Sequence, residues 1–157
     1  AKTSAMVFII LFGASAFTGI FMSLDGDQLI ATWISSVGIG KWGAFAIMMA
    51  IVFVMGMFLD WLGIVMIVFP IFLPIMDMFG FDRLWIVAVT AVMLQTCFMT
   101  PPFGFALFYI KGIVPPEVKI QEIYRGVIPF ILIIIAVVVL VTIFPQVVYF
   151  LPNLVAS

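Results

Sequence analysis

The chain contains no histidine and a single cysteine among its 157 residues. These scarcities exclude His-bound haem, the usual zinc sites, disulfide frameworks and Cys-His or Ser-His-Asp catalysis. Charge is scarce too, because six Lys and Arg against seven Asp and Glu give a net charge of −1. The sequence therefore has no basic stripe for nucleic acid, and most enzyme chemistry is closed to it.

Apolar residues make up most of what is present. They account for 67% of the chain against 8% for charged residues, with a mean hydropathy of +1.45, whereas about a quarter of residues are charged in soluble domains. The first charge-free run, 3–24, is longer than the apolar core of a signal peptide, and further apolar runs follow it. The sequence predicts an all-α, multi-pass integral membrane protein. Since it begins at Ala1 without an initiator methionine, we expect a fragment of a longer protein.

The apolar runs predict a series of membrane segments. Crossing ~30 Å of hydrocarbon at ~1.5 Å per residue takes about 20 helical residues. The two apolar arms within 42–78 are each shorter than this, so they are either two short spans or the arms of a re-entrant hairpin. The predicted segments are a transmembrane helix over 5–22, an interfacial connector helix over 23–41, the two-armed segment over 42–78 with its tip near 56–63, a broken transmembrane helix over 82–112 interrupted at 97–104, and a transmembrane helix over 127–151.

Basic residues between these segments set the expected orientation. Lys41 and Arg83 lie on one side of the predicted membrane. The larger group, on the other side, is Lys2, Lys111, Lys119 and Arg125. By the positive-inside rule the larger group is cytoplasmic, which places the start of the chain inside and its C-terminus outside.

The stretch QTCFMTPPFGFALFY, residues 95–109, interrupts a helix inside an apolar run. Proline has no N–H, so Pro101 and Pro102 leave the carbonyls of Cys97 and Phe98 without their helical donors. In lipid an unsatisfied backbone group costs several kcal/mol, so such a break persists only where protein, water or an ion meets it.

The chemistry of this helix break, residues 97–104, allows two interpretations. We expect Thr100 to cap a second half-helix that starts with the prolines, and the positive end of that helix suits a carboxylate. Bare carbonyls beside a threonine hydroxyl suit Na⁺. The alternative is a proline kink that neighbouring helices repair. The paired prolines, with Thr100 before them and Gly104 after them, favour a binding break.

Asp60 is the one charged residue within 42–76. If this segment is a re-entrant hairpin, Asp60 lies near its tip at membrane depth, where a carboxylate is expected to be functional. If the arms are ordinary spans, Asp60 is a loop residue without a special role. Gly56 and Gly63 bracket the tip, as a tight helix reversal requires.

Several motifs, in this order, resemble those of one family. They are GMFLDWLG, PIFLPI, TPPFG and the terminal FPQVVYFLP. With the stretches between them they resemble the C-terminal half of the large membrane subunit of tripartite ATP-independent periplasmic (TRAP) transporters. The resemblance implies the second inverted repeat of an elevator-type fold, in which 42–78 is a re-entrant hairpin entered from the periplasm and 82–112 is the broken helix.

The resemblance also implies a function. A TRAP large subunit imports a small organic acid across the bacterial inner membrane and uses Na⁺ as the coupling ion. Its partners are a periplasmic binding protein, a small membrane subunit, the N-terminal half of the same large subunit and the lipid bilayer. No enzyme activity and no organic cofactor are implied. A channel, or a non-transporting subunit of a membrane assembly, is the alternative that the residues leave open.

The family pattern G-x-x-T-P-P-x-G implies a sodium site in which mainly backbone oxygens hold the ion. The implied ligands are Gly56, Cys97, Thr100 and Phe103. Cys97 stands where glycine is common in the family. The residues predicted to act in substrate binding or gating are Asp60, Phe98, Pro101, Pro102 and Gly104.

Overall fold

A computed structural model describes residues 2–36, 38–102 and 104–156, and over these ranges its regular elements are all helical. They are α1 (Lys2–Ser23), α2 (Gly26–Ser36), α3 (Lys41–Gly56), α4 (Trp61–Met78), α5 (Arg83–Leu94), a 3₁₀ turn (Gln95–Phe98), α6 (Phe105–Ile113), α7 (Ile120–Ile143) and α8 (Gln146–Ala156). By length and composition α1, α4 and α7 can cross a membrane. The all-α membrane prediction is confirmed.

The core lies among α3, α4 and α5, with α2 and α7 packed around them. Its most enclosed side chains are Met48, Val52, Ile64 and Val89, none of them accessible to solvent. Helix α1 packs along α4 but keeps most of its apolar surface exposed. In a bilayer such a surface faces lipid tails or further protein without the cost that it would have in water.

Helices α3 and α4 form a hairpin whose short connecting turn is 57–60. Helix α4 has 18 residues, and two prolines, Pro70 and Pro74, lie inside it. This length fits both a spanning helix and one arm of a re-entrant hairpin. Re-entry of this segment therefore stays a prediction.

The turn between α4 and α5 has a local explanation. Gly80 adopts a φ of 71°, in the left-handed region that glycine enters at no steric cost, and its N–H donates to the carbonyl of Asp77 at 2.9 Å. The carboxylate of Asp82 then accepts the backbone N–H of Trp85 at 3.0 Å. Asp82 thus caps the first turn of α5.

The last apolar run differs from its prediction as one helix over 127–151. Helix α7 begins earlier, at Ile120, because the Glu122 carboxylate accepts the backbone N–H of Lys119 at 3.1 Å and closes the first turn. It also ends earlier, at Ile143, and α8 follows as a separate helix.

Pro145 explains the early end of α7. Because proline has no N–H, the carbonyl of Val141 loses its helical donor. The indole Nε1 of Trp85, on α5, donates to that carbonyl at 3.4 Å instead. A side chain distant in sequence thus satisfies a backbone group that a proline has freed.

Candidate functional site

The helix break begins where α5 passes into the 3₁₀ turn. The backbone N–H groups of Met99 and Thr100 both donate to the carbonyl of Thr96, at 3.0 and 2.8 Å. The chain then leaves the helix and resumes it as α6, whose capping position is Gly104. Two helical pieces therefore meet at this point, separated by the Pro101-Pro102 turn.

The prediction that Thr100 caps the second half-helix is wrong. Its hydroxyl donates backwards to the Thr96 carbonyl at 2.6 Å. The capping position of α6 is Gly104, which has no side chain that could bond to the helix. A capping hydroxyl must accept N–H groups from the residues that follow it. Pro101 and Pro102 have none to offer, so the hydroxyl turns to the preceding helix instead.

Two carbonyls at the break have no backbone donor within the part of the chain that the structure describes. Among the described residues, no N–H outside the helices is bonded to the carbonyl oxygen of Cys97 or of Phe98. The contrast with Val141 is informative, since the carbonyl freed there is taken by Trp85. No side chain is seen to fill the carbonyls of Cys97 and Phe98 in this way among the described residues.

Gly104 allows the chain to fold closely over the break. A Cβ atom at this position would lie 2.9 Å from the Phe98 carbonyl oxygen and 3.1 Å from the Leu107 side chain. Any larger residue would therefore push α6 away from the first half-helix. Pro102 lies in the turn before Gly104, and its carbonyl accepts a hydrogen bond from the Tyr124 hydroxyl of α7 at 3.3 Å.

The hairpin tip touches the break directly. A Cβ atom added to Gly56 would overlap the sulfur of Cys97 and lie 3.3 Å from its Cβ and 3.4 Å from its Cα. Gly56 is buried and Cys97 is only 4% exposed. The structure therefore brings two of the implied sodium ligands into contact, although they are far apart in sequence.

The two other implied sodium ligands are Thr100 and Phe103. Thr100 is 3% exposed and is linked to the 3₁₀ turn through Thr96. Phe103 lies outside the described residues. Sodium binding itself, and the role of each ligand, stay predictions.

A cavity of about 340 Å³ opens beside this contact. It is lined by Met6, Asp60, Phe98, Ala106 and Tyr109. Asp60 is half-buried at the start of α4, and its carboxylate makes no hydrogen bond to the helix that it precedes. The cavity thus joins the hairpin tip to both half-helices of the break.

Sequence reasoning assigned no role to three of these lining residues. Ala106 and Tyr109 are three apart in α6, so they share a helix face, but no motif in the sequence marked either residue. Met6 had no such motif either. It reaches the cavity only because α1 packs against α4.

The opposite end of the hairpin, which we call the hairpin base (residues 41–45 and 77–82), is built differently. The Lys41 ammonium donates to the Gly80 carbonyl at 2.7 Å and lies 4.3 Å from the centre of the Phe81 ring. Four aromatic rings pack against one another at the base, with centroids 5.1 to 6.2 Å apart. These rings are Trp42, Phe45, Phe81 and Trp85.

Charged groups reinforce the base. The Arg83 guanidinium pairs with Asp77, with its Nε donating at 2.8 Å, and the Tyr149 hydroxyl of α8 donates to Asp82 at 2.9 Å. The backbone N–H of Trp85 and, second, the Tyr149 hydroxyl hold the pKa of the Asp82 carboxyl below its usual range. Both favour the ionised form, because hydrogen bonds to a carboxylate stabilise its charge.

Comparison with known proteins agrees with the motifs. Residues 1–147 match the family model described as "Tripartite ATP-independent periplasmic transporter, DctM component". The sialic acid TRAP transporter permease protein SiaT of Haemophilus influenzae is 33% identical over 105 residues, which are 67% of this chain and 17% of that protein.

Two further relatives align along nearly the whole chain. The C4-dicarboxylate TRAP transporter large permease protein DctM of Pseudomonas aeruginosa is 26% identical, over 97% of this chain and 35% of its own length. The ectoine/5-hydroxyectoine TRAP transporter large permease protein UehC of Ruegeria pomeroyi is 29% identical, over 98% of this chain and 36% of its own length.

The chain spans between 17% and 36% of the length of these relatives. The resemblance stated from the motifs is confirmed, because the family model covers all but the last ten residues. The chain belongs to the DctM component family of TRAP transporters, which are multi-pass membrane permeases and not enzymes.

Proposed function

We propose that this chain forms the Na⁺-coupled solute site of a TRAP permease, between the hairpin tip and the helix break. The observation that carries the proposal is the buried contact of Gly56 with Cys97, beside two carbonyls without backbone donors among the described residues. A carbonyl left bare within a membrane costs several kcal/mol unless a cation, water or protein group meets it.

Sodium suits this place for chemical reasons. It is a hard cation that neutral oxygens bind well, and unwound backbone at a broken helix supplies such oxygens. Thr100 adds a hydroxyl that already donates to Thr96 and therefore keeps its lone pairs for a cation. In this proposal Gly56, Cys97, Thr100 and Phe103 hold the ion.

The solute occupies the cavity between Asp60 and α6. The first turn of α6, at Ala106, opens into the cavity, and the positive end of a helix favours a carboxylate. Asp60 and Phe98 close the cavity from the side of the hairpin and of the first half-helix. Since either ligand stabilises the contact that the other needs, binding of solute and of Na⁺ is reciprocal.

The class of solute follows from the names of the relatives. These name sialic acid, a C4-dicarboxylate and ectoine, all of them small organic solutes. Because the cavity has a helix N-terminus at one wall, we propose a solute that carries a carboxylate.

The proposal extends to orientation and assembly. The chain starts in the cytoplasm and ends in the periplasm of the bacterial inner membrane, and 42–78 re-enters from the periplasm as part of a second inverted repeat. The rest of the large subunit, a small membrane subunit and a periplasmic binding protein complete the transporter. The four basic residues on the cytoplasmic side against two on the other support this orientation.

The first test is uptake by the complete transporter. Large subunit, small subunit and binding protein are reconstituted in proteoliposomes and supplied with radiolabelled sialic acid, succinate or ectoine. We expect saturable uptake of one probe under an inward Na⁺ gradient, and little uptake under an equal K⁺ gradient. Uptake that continues undiminished without Na⁺ refutes coupling, and an unsaturable flux supports the channel alternative.

A matched pair of threonines tests the ion site. Thr90 and Thr100 are both buried, and their hydroxyls donate to a carbonyl four residues back, at 2.7 and 2.6 Å. Valine keeps the shape of threonine and removes the oxygen. We expect Thr100→Val to raise the Na⁺ concentration for half-maximal uptake by about tenfold, the loss of one ligand worth ~1.4 kcal/mol.

Thr90→Val is the control, because Thr90 lies in the body of α5 away from the break. It loses the same kind of back-bond and is expected to leave the Na⁺ dependence unchanged. An equal shift in both variants removes the Thr100 oxygen from the site.

A further inference from the structure

We propose that Cys97 is a positioning residue whose side-chain volume sets how closely the hairpin tip approaches the helix break. The proposal rests on the proposed function, because it concerns the geometry of the Na⁺ site. Cys97 does not act as a ligand through its sulfur or as a reactive thiol. Its sulfur fills the space into which a side chain at position 56 would extend.

The packing of the contact supports this assignment. Position 56 has no room for a methyl group, because a Cβ there would overlap the Cys97 sulfur and lie 3.3 Å from its Cβ. Contacts this close in a buried place force a displacement of backbone or side chain. Cys97 is 4% exposed and belongs to the same core cluster as Val52 of α3. Side chains at positions 56 and 97 therefore compete for the same space.

The shared volume has a consequence for the ion. Hydroxyl groups near the break, those of Thr96 and Thr100, bond within their own segment and do not tie it to the hairpin. Gly56 of the tip lies directly against Cys97 of the break, so the size of the side chain at 97 affects the separation of the oxygens around the ion. A smaller residue leaves a gap and a looser site, and a larger residue at 56 drives the tip away.

The side chains at 56 and 97 are accordingly a complementary pair. In the natural sequence the break carries the side chain, that of Cys97, and the hairpin carries a glycine, Gly56. If alanine is placed at position 56 and glycine at position 97, the alanine methyl group fills much of the space that the Cys97 side chain occupies in the natural protein. Coupling between the two substitutions, beyond the sum of their separate effects, is the signature of such a pair.

The experiment uses the complete transporter in proteoliposomes and measures the Na⁺ concentration for half-maximal uptake separately from the maximal rate. The variants are Cys97→Ser, Cys97→Gly, Gly56→Ala and the double variant Gly56→Ala/Cys97→Gly. Gly63→Ala is the matched control, because Gly63 also flanks the hairpin turn but has open space where its Cβ would lie.

We expect Cys97→Gly to raise the half-saturating Na⁺ concentration about threefold or more, and Cys97→Ser, which loses only part of the side-chain volume, to raise it less than Cys97→Gly does. Gly56→Ala is expected to raise it at least about tenfold, and Gly63→Ala to leave it unchanged. In the double variant the effect of Gly56→Ala falls to about threefold or less relative to Cys97→Gly alone.

Two results overturn the proposal. One is an effect of Gly56→Ala that is as large in the Cys97→Gly background as it is when Cys97 is present. The other is a Cys97→Ser variant as impaired as Cys97→Gly, which shows that the chemistry of the sulfur matters rather than its volume.

A second measurement separates this proposal from the proposed function. The melting temperature of the purified transporter is recorded for the same variants in choline chloride, without Na⁺. Partial recovery of the Gly56→Ala loss in the double variant shows the steric pair even if uptake proves independent of Na⁺. Absence of recovery in both measurements overturns the pair, whatever the outcome for coupling.

Discussion

The two ends of the α3–α4 hairpin are held to the rest of the molecule by different kinds of contact. At the hairpin base, Lys41 bonds to Gly80, Arg83 pairs with Asp77, and a cluster of rings joins α3 and the α4–α5 turn to α5. At the tip, Gly56 packs directly against Cys97, and the Asp60 carboxylate makes no hydrogen bond to its own helix.

The contacts at the base are therefore directional, whereas the contact of Gly56 with Cys97 depends on shape. Hydrogen bonds and edge-to-face or stacked rings each hold their partners in a defined orientation. The base therefore anchors the hairpin to α5. The contact between Gly56 and Cys97 is a steric one, with no room for a side chain at position 56.

Removal of the Trp85 side chain is the strongest expected disruption of the base. Trp85 is 4% exposed, packs against Trp42, Phe45 and Phe81, and donates to the carbonyl that Pro145 frees. We expect Trp85→Ala to destabilise the protein by about 3–5 kcal/mol, measured as a fall in the melting temperature of the purified transporter.

Trp33→Ala is the matched control for that variant, because Trp33 is 57% exposed on α2. It removes the same side chain from a surface that offers few contacts. If both variants melt at the same temperature, the ring cluster is not the anchor of the hairpin.

Neutralisation of Asp60 probes the tip without changing its shape. The asparagine in Asp60→Asn keeps the size of the side chain but removes the one carboxylate that lines the cavity. We expect the solute concentration for half-maximal uptake, or the rate of uptake, to change by about tenfold, with little change in melting temperature. Asp25→Asn, at an exposed turn, is the control. A variant that transports normally assigns Asp60 to the loop that the two-span interpretation predicts.

The smallest expected effect belongs to the Tyr149 hydroxyl at the base. Because the folded protein lowers the pKa of Asp82, it favours the carboxylate, and this stabilisation is complete above the ordinary pKa of about 3.9. It is lost as the pH falls through the lower pKa of the folded state. We therefore expect Tyr149→Phe to lower the melting temperature by about 1 °C at pH 7, and this difference to shrink as the pH approaches about 3.

The same substitution in an Asp82→Asn background supplies the control. With the carboxylate absent, Tyr149→Phe has no charge to influence, and its effect is expected to lose its dependence on pH. A difference that grows towards acid pH contradicts the assignment of the lowered pKa to this hydrogen bond.

Local chemistry made much of the helix break predictable. Two consecutive prolines remove two N–H groups wherever they stand, so the loss of donors for Cys97 and Phe98 follows from the residues alone. The capping role of Thr100 did not follow, because a hydroxyl chooses among acceptors and donors that the surrounding chain provides. In this fold it turns back to Thr96.

Contacts between distant helices could not be predicted from local sequence patterns. Pro145 was visible near the end of an apolar run, but its consequence depends on Trp85, which fills the vacant carbonyl of Val141 from another helix. Met6 likewise joins the cavity of Asp60 only through the packing of α1 on α4.

The sequence by itself determined the all-α membrane class, the approximate helices and the place where backbone oxygens lose their donors, because hydropathy and the missing N–H of proline act locally. Only the tertiary structure decided that Gly56 lies against Cys97, that Lys41 bonds to Gly80 at the base, and that Trp85 fills the carbonyl that Pro145 frees. Contacts between residues so far apart depend on how whole helices fit together, and no short stretch of sequence carries that information.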